Sequence, residues 1–161
     1  MRLSYGPRGM LQIDDARIIF KNFSGTRSRY RGARSFAVII DSQELAEELQ
    51  DRGWNVTIKP PYEPGDDPLI FLNVKVKFNE YGPKIMLVNG SDFKRLDERN
   101  VSVLDNARIE RVDLLDIAAS PYTKDDGTEG ISAYLRSMEA HMSVDRFDQK
   151  YNDYGNDEAP F

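Results

Sequence analysis

Leu69-Ile-Phe-Leu-Asn-Val-Lys-Val-Lys-Phe78 decides the fold. Ile70, Leu72, Val74, Val76 and Phe78 recur at every second position, with Phe71, Asn73, Lys75 and Lys77 between them. Successive side chains of a strand point to opposite faces, so this run is a β-strand with one apolar face and one aromatic and cationic face. Its neighbours also read as strands. Residues 16–23 are β-branched and aromatic, and residues 35–40 are a continuous run suited to burial on both faces. Residues 54–58 alternate and stop at Pro60-Pro61. Tyr81-Gly-Pro predicts a turn that returns residues 84–88 as the hairpin partner of 69–78. Residues 92–104 are charged and suggest a turn or two of helix. Residues 107–118 fit helix or strand by pattern. Strand is preferred, because Asp125-Asp-Gly-Thr-Glu-Gly130 then closes a hairpin onto residues 131–138.

One helix stands out. Asp41 reads as its N-cap, with Glu44 completing a capping box. Residues 42–52 turn Leu45 and Leu49 toward the core, and Gly53 suits the left-handed C-terminal position. About seven short strands around one helix predict a mainly β chain, with a small, partly open barrel rather than a parallel α/β sheet. Residues 1–12 read as a loose N-terminal arm, 13–145 as the domain, and 146–161, where hydrophobic residues thin out, as a disordered acidic tail.

Composition narrows the function. At 161 residues the chain can bury a real core without covalent staples. With no cysteine, disulfides, thiolate metal sites and cysteine nucleophiles are excluded, and a reducing cytosol suits the chain. The single histidine, His141, rules out a multi-histidine metal site. The longest apolar run is five residues (36–40), far short of the ~20 a membrane helix needs. A soluble, non-enzymatic domain without cofactor or metal is expected.

The net charge of −5 conceals an asymmetry. Residues 1–36 hold eight Lys/Arg against Asp14 and Asp15, whereas residues 151–161 hold Asp153, Asp157 and Glu158 and no base. Six bases and no acid lie between residues 17 and 36: Arg17, Lys21, Arg27, Arg29, Arg31 and Arg34, with Tyr30 among them. Nucleic-acid backbones take cations spaced along a track, and bases take flat π-faces on which to stack. A run of charge is otherwise only a solvated surface. The outer Phe71/Asn73/Lys75/Lys77 face strengthens the nucleic-acid reading, because an aromatic followed by lysines is what an OB-type sheet offers to a single strand. Outward lysines also merely keep a strand soluble.

The C-terminus, Asp157-Glu158-Ala159-Pro160-Phe161, resembles the acidic tip of bacterial single-stranded DNA-binding proteins, which typically ends Asp-Asp-Ile-Pro-Phe. Phage-encoded single-stranded DNA-binding proteins often end similarly. This chain departs in Glu158-Ala159 and in having almost no Gly/Gln/Pro-rich linker, which makes it look more like the phage proteins. Gly53-Trp-Asn-Val, Asn73-Val-Lys-Val and Leu96-Asp-Glu followed by Val103-Leu-Asp105 are similar to a phage OB-fold group. The resemblance implies an OB-fold-like, partly open five-stranded β-barrel with extra hairpins. It implies a single-stranded DNA-binding protein of phage replication or recombination, working in the host bacterial cytoplasm. Asp157, Glu158, Pro160 and Phe161 would dock on replication and recombination proteins, with Phe161 filling an apolar pocket and the acids meeting a basic rim. A dimer or cooperative array would extend so short a groove. An RNA-binding protein, or an adaptor using the same barrel to bind protein, are the alternatives.

Other candidates carry less. Asp113 and Asp116 beside Glu110 hint at a two-metal nuclease, but strand alternation places the two aspartates on opposite faces. Asp66-Asp67 and Asp125-Asp126-Gly127 read as turns, and Trp54 as a core aromatic.

Overall fold

The computed structural model describes residues 1–27 and 32–143. The chain opens with a hairpin, Arg2–Tyr5 (β1) against Leu11–Asp14 (β2), with Leu3 opposite Ile13. The loose arm expected there is therefore ordered as strands. Leu11 and Ile13 are fully buried, and burying one face fixes a strand's register even in a short, polar-looking segment.

Ile18–Asn22 (β3) and Arg34–Ile39 (β4) follow, then the helix Gln43–Asp51 (α1). Its N-cap is Ser42 rather than Asp41: the Ser42 hydroxyl accepts from the Leu45 amide at 3.2 Å. The Asp41 carboxylate instead lies 3.4 Å from the chain's amino terminus. Leu49 is fully buried, and Gly53 takes φ +95°, the left-handed conformation its position demands. Val56–Lys59 (β5), Leu69–Val76 (β6), Lys84–Asn89 (β7) and Asp92–Leu96 (β8) come next. A 3₁₀ turn at Val101–Asp105 leads to the long hairpin Ile109–Thr123 (β9) and Glu129–Met142 (β10).

Five of these strands form a barrel in the order β3-β4-β6-β10-β9. β6 and β10 run parallel, with Val74 opposite Ala133, and the other contacts are antiparallel. The ring closes through one bridge just before β3, where Ala16 and Val112 exchange backbone hydrogen bonds of 2.9 and 2.7 Å. This is the mainly β, partly open, OB-like barrel the sequence predicts, with β1–β2 added to β9 and β7–β8 added to β10. Phe36, Val38, Leu72, Val74, Leu115 and Ile117 fill its interior, and the Phe23 and Phe36 rings stack at 5.2 Å.

Two expectations need correction. β7 does not return against β6, whose edges are already taken by β4 on one side and by β5 and β10 on the other. It runs parallel along β10 instead, Lys84 opposite Ser137. Of residues 92–104, the expected helix is the 3₁₀ turn at Val101–Asp105, whereas residues 92–96 are a strand that pairs with β7 across a two-residue loop in which Gly90 takes φ +64°. Among the described residues, no helix is long and apolar enough to cross a membrane.

Candidate nucleic-acid interface

Alternation on β6 puts Ile70, Leu72, Val74 and Val76 inside the barrel and Phe71, Asn73 and Lys75 outside. The outer face continues sideways through the register: Ile39, Ala37 and Ser35 of β4 lie opposite Phe71, Asn73 and Lys75, and Tyr134 of β10 lies beside Lys75. Asn73 and Lys75 are exposed. The Lys75 Nζ stands 5.6 Å from the centre of the Tyr134 ring, a cation–π contact. Ser120, Tyr122, Ser132 and Tyr134 carry the surface onward as a hollow of about 460 Å³.

Phe71 is the surprise of this face. Its ring is only 8% exposed, because the Phe20 ring packs edge-on against it at 5.3 Å. Phe20 in turn is 57% exposed and sits at φ +52°, inside a bulge where the β3–β4 register slips between Ile19 and Asn22. A left-handed conformation costs a non-glycine residue about 1–2 kcal/mol. Here it turns an aromatic ring out of the strand onto the surface. Phe20, Lys21, Asn22, Arg27 and Ser35 border an adjoining hollow of about 560 Å³.

The arginine loop leaves this hollow on a pinned neck. Both Asp105 oxygens accept from the loop's first amides, Phe23 at 2.7 Å and Ser24 at 3.1 Å. Asn22 ties across it, donating to the Ala33 carbonyl and accepting from the Arg27 amide. The strands cross so closely that a Cβ on Gly25, at φ +75°, would lie 3.1 Å from the Gly32 backbone. Both the positive φ and the close approach favour glycine there.

The cations expected from sequence divide into two groups. Arg27 is exposed at the neck, Lys75 stands on the outer face, and Lys77 is exposed just past β6, sharing a small hollow with Arg136. Arg17 is exposed at the far end of β3. Lys21 is instead a structural tie: its ammonium donates to the carbonyls of Leu104 at 2.8 Å and Ala107 at 2.7 Å. Burial holds its pKa below the ordinary lysine value and Arg27 adds to this, while Asp105 opposes both. Arg34 belongs to β4 rather than to the loop, in the inward row of Phe36. Its guanidinium lies 3.2 Å from Glu98 and over the Phe78 ring. Arg29, Tyr30 and Arg31 lie outside the described residues, as do Asp157, Glu158, Pro160 and Phe161.

Three surface residues escape the sequence reading. Tyr134 and Arg136 were recoverable from the alternation Ser132/Tyr134/Arg136 against Ala133/Leu135. Phe20 was not, since nothing in the sequence marks its bulge.

Asp113 and Asp116 share a face after all. Leu114 takes φ +50°, and three residues of β9 span two of β10, so Asp113 faces Glu139 and Asp116 faces Ser137. Both are engaged: Asp116 accepts from the Ser137 hydroxyl, and Asp113 from the Asp15 amide at 2.8 Å and from Arg111 at 3.0 Å. Burial works to raise the Asp113 pKa, but the Asp15 amide and Arg111 outweigh it and hold it below the ordinary value. His141 is wedged between Glu139 at 2.7 Å and Asp113 at 3.5 Å. Among the described residues, no three acidic or histidine side chains are placed to hold a metal. Trp54 is a core residue, 4% exposed.

In an OB barrel, oligonucleotides lie across the second and third strands and between the loops joining strands one–two and four–five. β4 and β6 hold those strand positions here, the arginine loop is the first connection, and the β9–β10 turn is the second. The family model described as "Putative phage ssDNA-binding domain" matches residues 2–160. The chain belongs to that family.

Among solved structures, it is similar in fold to the single-stranded DNA-binding protein from bacteriophage Enc34 in complex with ssDNA. That match has a TM-score of 0.52 and 11% identity, and it covers 88% of this chain and 90% of that one. Another structure of the Enc34 protein matches with a TM-score of 0.51 and 10% identity, over 93% and 99% of the two chains. No protein with a curated description matches by sequence.

Proposed function

We propose that this chain is a non-enzymatic protein that coats single-stranded DNA during phage replication and recombination, with little regard to base sequence. The observation that carries the reading is the outer face of β3, β4, β6 and β10. There Phe20 and Tyr134 offer rings on either side of Lys75, next to a loop rich in arginine. Rings take any base by stacking, and the cations follow the phosphates, so neither contact selects sequence. Arg17, Arg27, Arg29, Tyr30, Arg31, Lys75 and Lys77 supply the remaining contacts. Incubation with labelled single-stranded DNA, with and without Mg²⁺, tests the reading. It predicts a mobility shift without cleavage. Mg²⁺-dependent cleavage would overturn it in favour of a nuclease, and no shift in favour of an adaptor.

The tail adds recruitment. Phe161 and its acidic neighbours fit an apolar pocket with a basic rim on a replication or recombination protein. The same acids, tethered to the domain, compete with DNA for the cationic face at high effective concentration. Deleting residues 152–161 is therefore expected to tighten single-strand binding and abolish partner capture. Weaker DNA binding by the truncated chain would contradict the competition.

A further inference from the structure

We propose that the β7–β8 ribbon is a second stretch of the single-strand track, taking nucleic acid off the barrel face and along β10. The inference rests on the single-strand reading of that face. β6 and β7 lie end to end on one edge of β10, both parallel to it: Val74 and Lys75 beside Ala133 and Tyr134, then Lys84 to Val88 beside Ser137 to His141. The outer surface therefore does not stop at Tyr134. It continues through the rows Ser137–Lys84, Glu139–Met86–Arg95 and His141–Val88–Phe93. At about 3.3 Å per residue, the run from Tyr134 to His141 adds roughly 20 Å to the face.

The ribbon's chemistry matches the barrel's. Phe93 is 69% exposed, and among the described residues no other ring stacks on it. Lys84, Arg95 and Arg136 are exposed and, among the described residues, form no ion pair. Lys77 and Arg136 share a hollow at the junction of barrel and ribbon. The ribbon's sole acid is Asp92 at its tip. Of the nearby acids of β9 and β10, Asp113 is paired with Arg111 and accepts from the Asp15 amide, Asp116 accepts from Ser137, Glu139 lies 2.7 Å from His141, and Glu110 is exposed. Lysines alone would be ordinary protection for the open edge of β8. A half-free phenylalanine beside an unpaired arginine is not protection, because it invites contact. An exposed ring flanked by free cations is the pairing a single strand requires.

The test is the double substitution Phe93→Ala/Arg95→Glu in the full chain, titrated with oligo-dT of two lengths. One is about eight nucleotides, within the reach of one OB barrel, and the other about twenty-five. Binding to the long strand should weaken roughly tenfold, and the salt slope there should fall by about 0.7 or more. Binding to the short strand should stay unchanged, which also reports an intact fold. Unchanged affinity for both lengths, or an equal loss on both, overturns the proposal. So does a changed mass in sedimentation without a length-dependent loss, which would make the ribbon a contact between copies. If the unsubstituted chain binds neither oligonucleotide, the single-strand reading itself fails, and this inference with it.

Discussion

Lys21 and Lys75 look alike in the sequence and do different work in the structure, and Lys→Met substitution at each separates the two. Lys21→Met removes the donor to the carbonyls of Leu104 and Ala107, both of which belong to buried residues. Leaving a buried acceptor unpaired costs about 1–3 kcal/mol. The methionine stem keeps most of the packing, so the expected loss is about 2–4 kcal/mol, a large share of a typical 5–15 kcal/mol stability. With an m-value of about 1–3 kcal/mol/M, the urea midpoint should fall by roughly 1–2 M. The salt dependence of single-strand binding should not change, because this ammonium touches no phosphate. Lys75→Met should do the reverse, with stability held within about 0.5 kcal/mol. The slope of log K against log salt should then become shallower by about 0.7, the share of one phosphate contact on a single strand. Urea unfolding followed by Trp54 fluorescence, and oligo-dT titration at several salt concentrations, read both quantities. A Lys21→Met variant with unchanged urea midpoint and a shallower salt slope would refute the structural assignment of Lys21.

Phe20→Gly should weaken single-strand binding by about 1–3 kcal/mol, the worth of one stacked base. Stability should hold or rise in urea, since glycine relieves the left-handed strain of about 1–2 kcal/mol while the Phe71 contact is lost. The folded-state pKa of Asp113 lies below its unfolded value, so its stabilising contribution is present above about pH 4 and disappears as pH falls through the folded value. Asp113→Asn should accordingly unfold at lower urea than the parent at pH 7, by about 1 kcal/mol. The gap should narrow as pH falls below about 4, and a gap independent of pH would contradict the linkage. Gly25→Ala should destabilise the chain by about 1–3 kcal/mol and weaken binding, because a residue with a Cβ is strained at φ +75° and the Cβ would crowd the Gly32 backbone at 3.1 Å.

The alternation of residues 69–78 and the Asp-Gly turn at 125–130 were legible because each is a local pattern with one geometric solution. The partner of β7 was not, since pairing depends on which edges of β6 remain free, and that is settled by strands far away in sequence. β1 and β2 were hidden by their brevity: Leu11 and Ile13 are the fully buried residues that order the hairpin, with Leu3 and Tyr5 half-buried against the core. Phe20 and Leu114 break the period-two rule through left-handed bulges that no glycine announces, which moved one aromatic onto the surface and two aspartates onto a common face. Charge in sequence likewise cannot separate Lys21, bonded to two carbonyls, from Lys75, which stands in solvent.

The proposed face of rings and cations would hold single strands through stacking and phosphate contacts, and oligo-dT titrated against the full chain over a range of salt concentrations reads both. Three to five phosphates met by Arg27, Lys75, Lys77 and the loop arginines predict a straight line with a slope of about −2 to −3.5, and weaker binding to duplex of equal length. A flat line, or equal affinity for duplex, would mean that this face does not hold single strands.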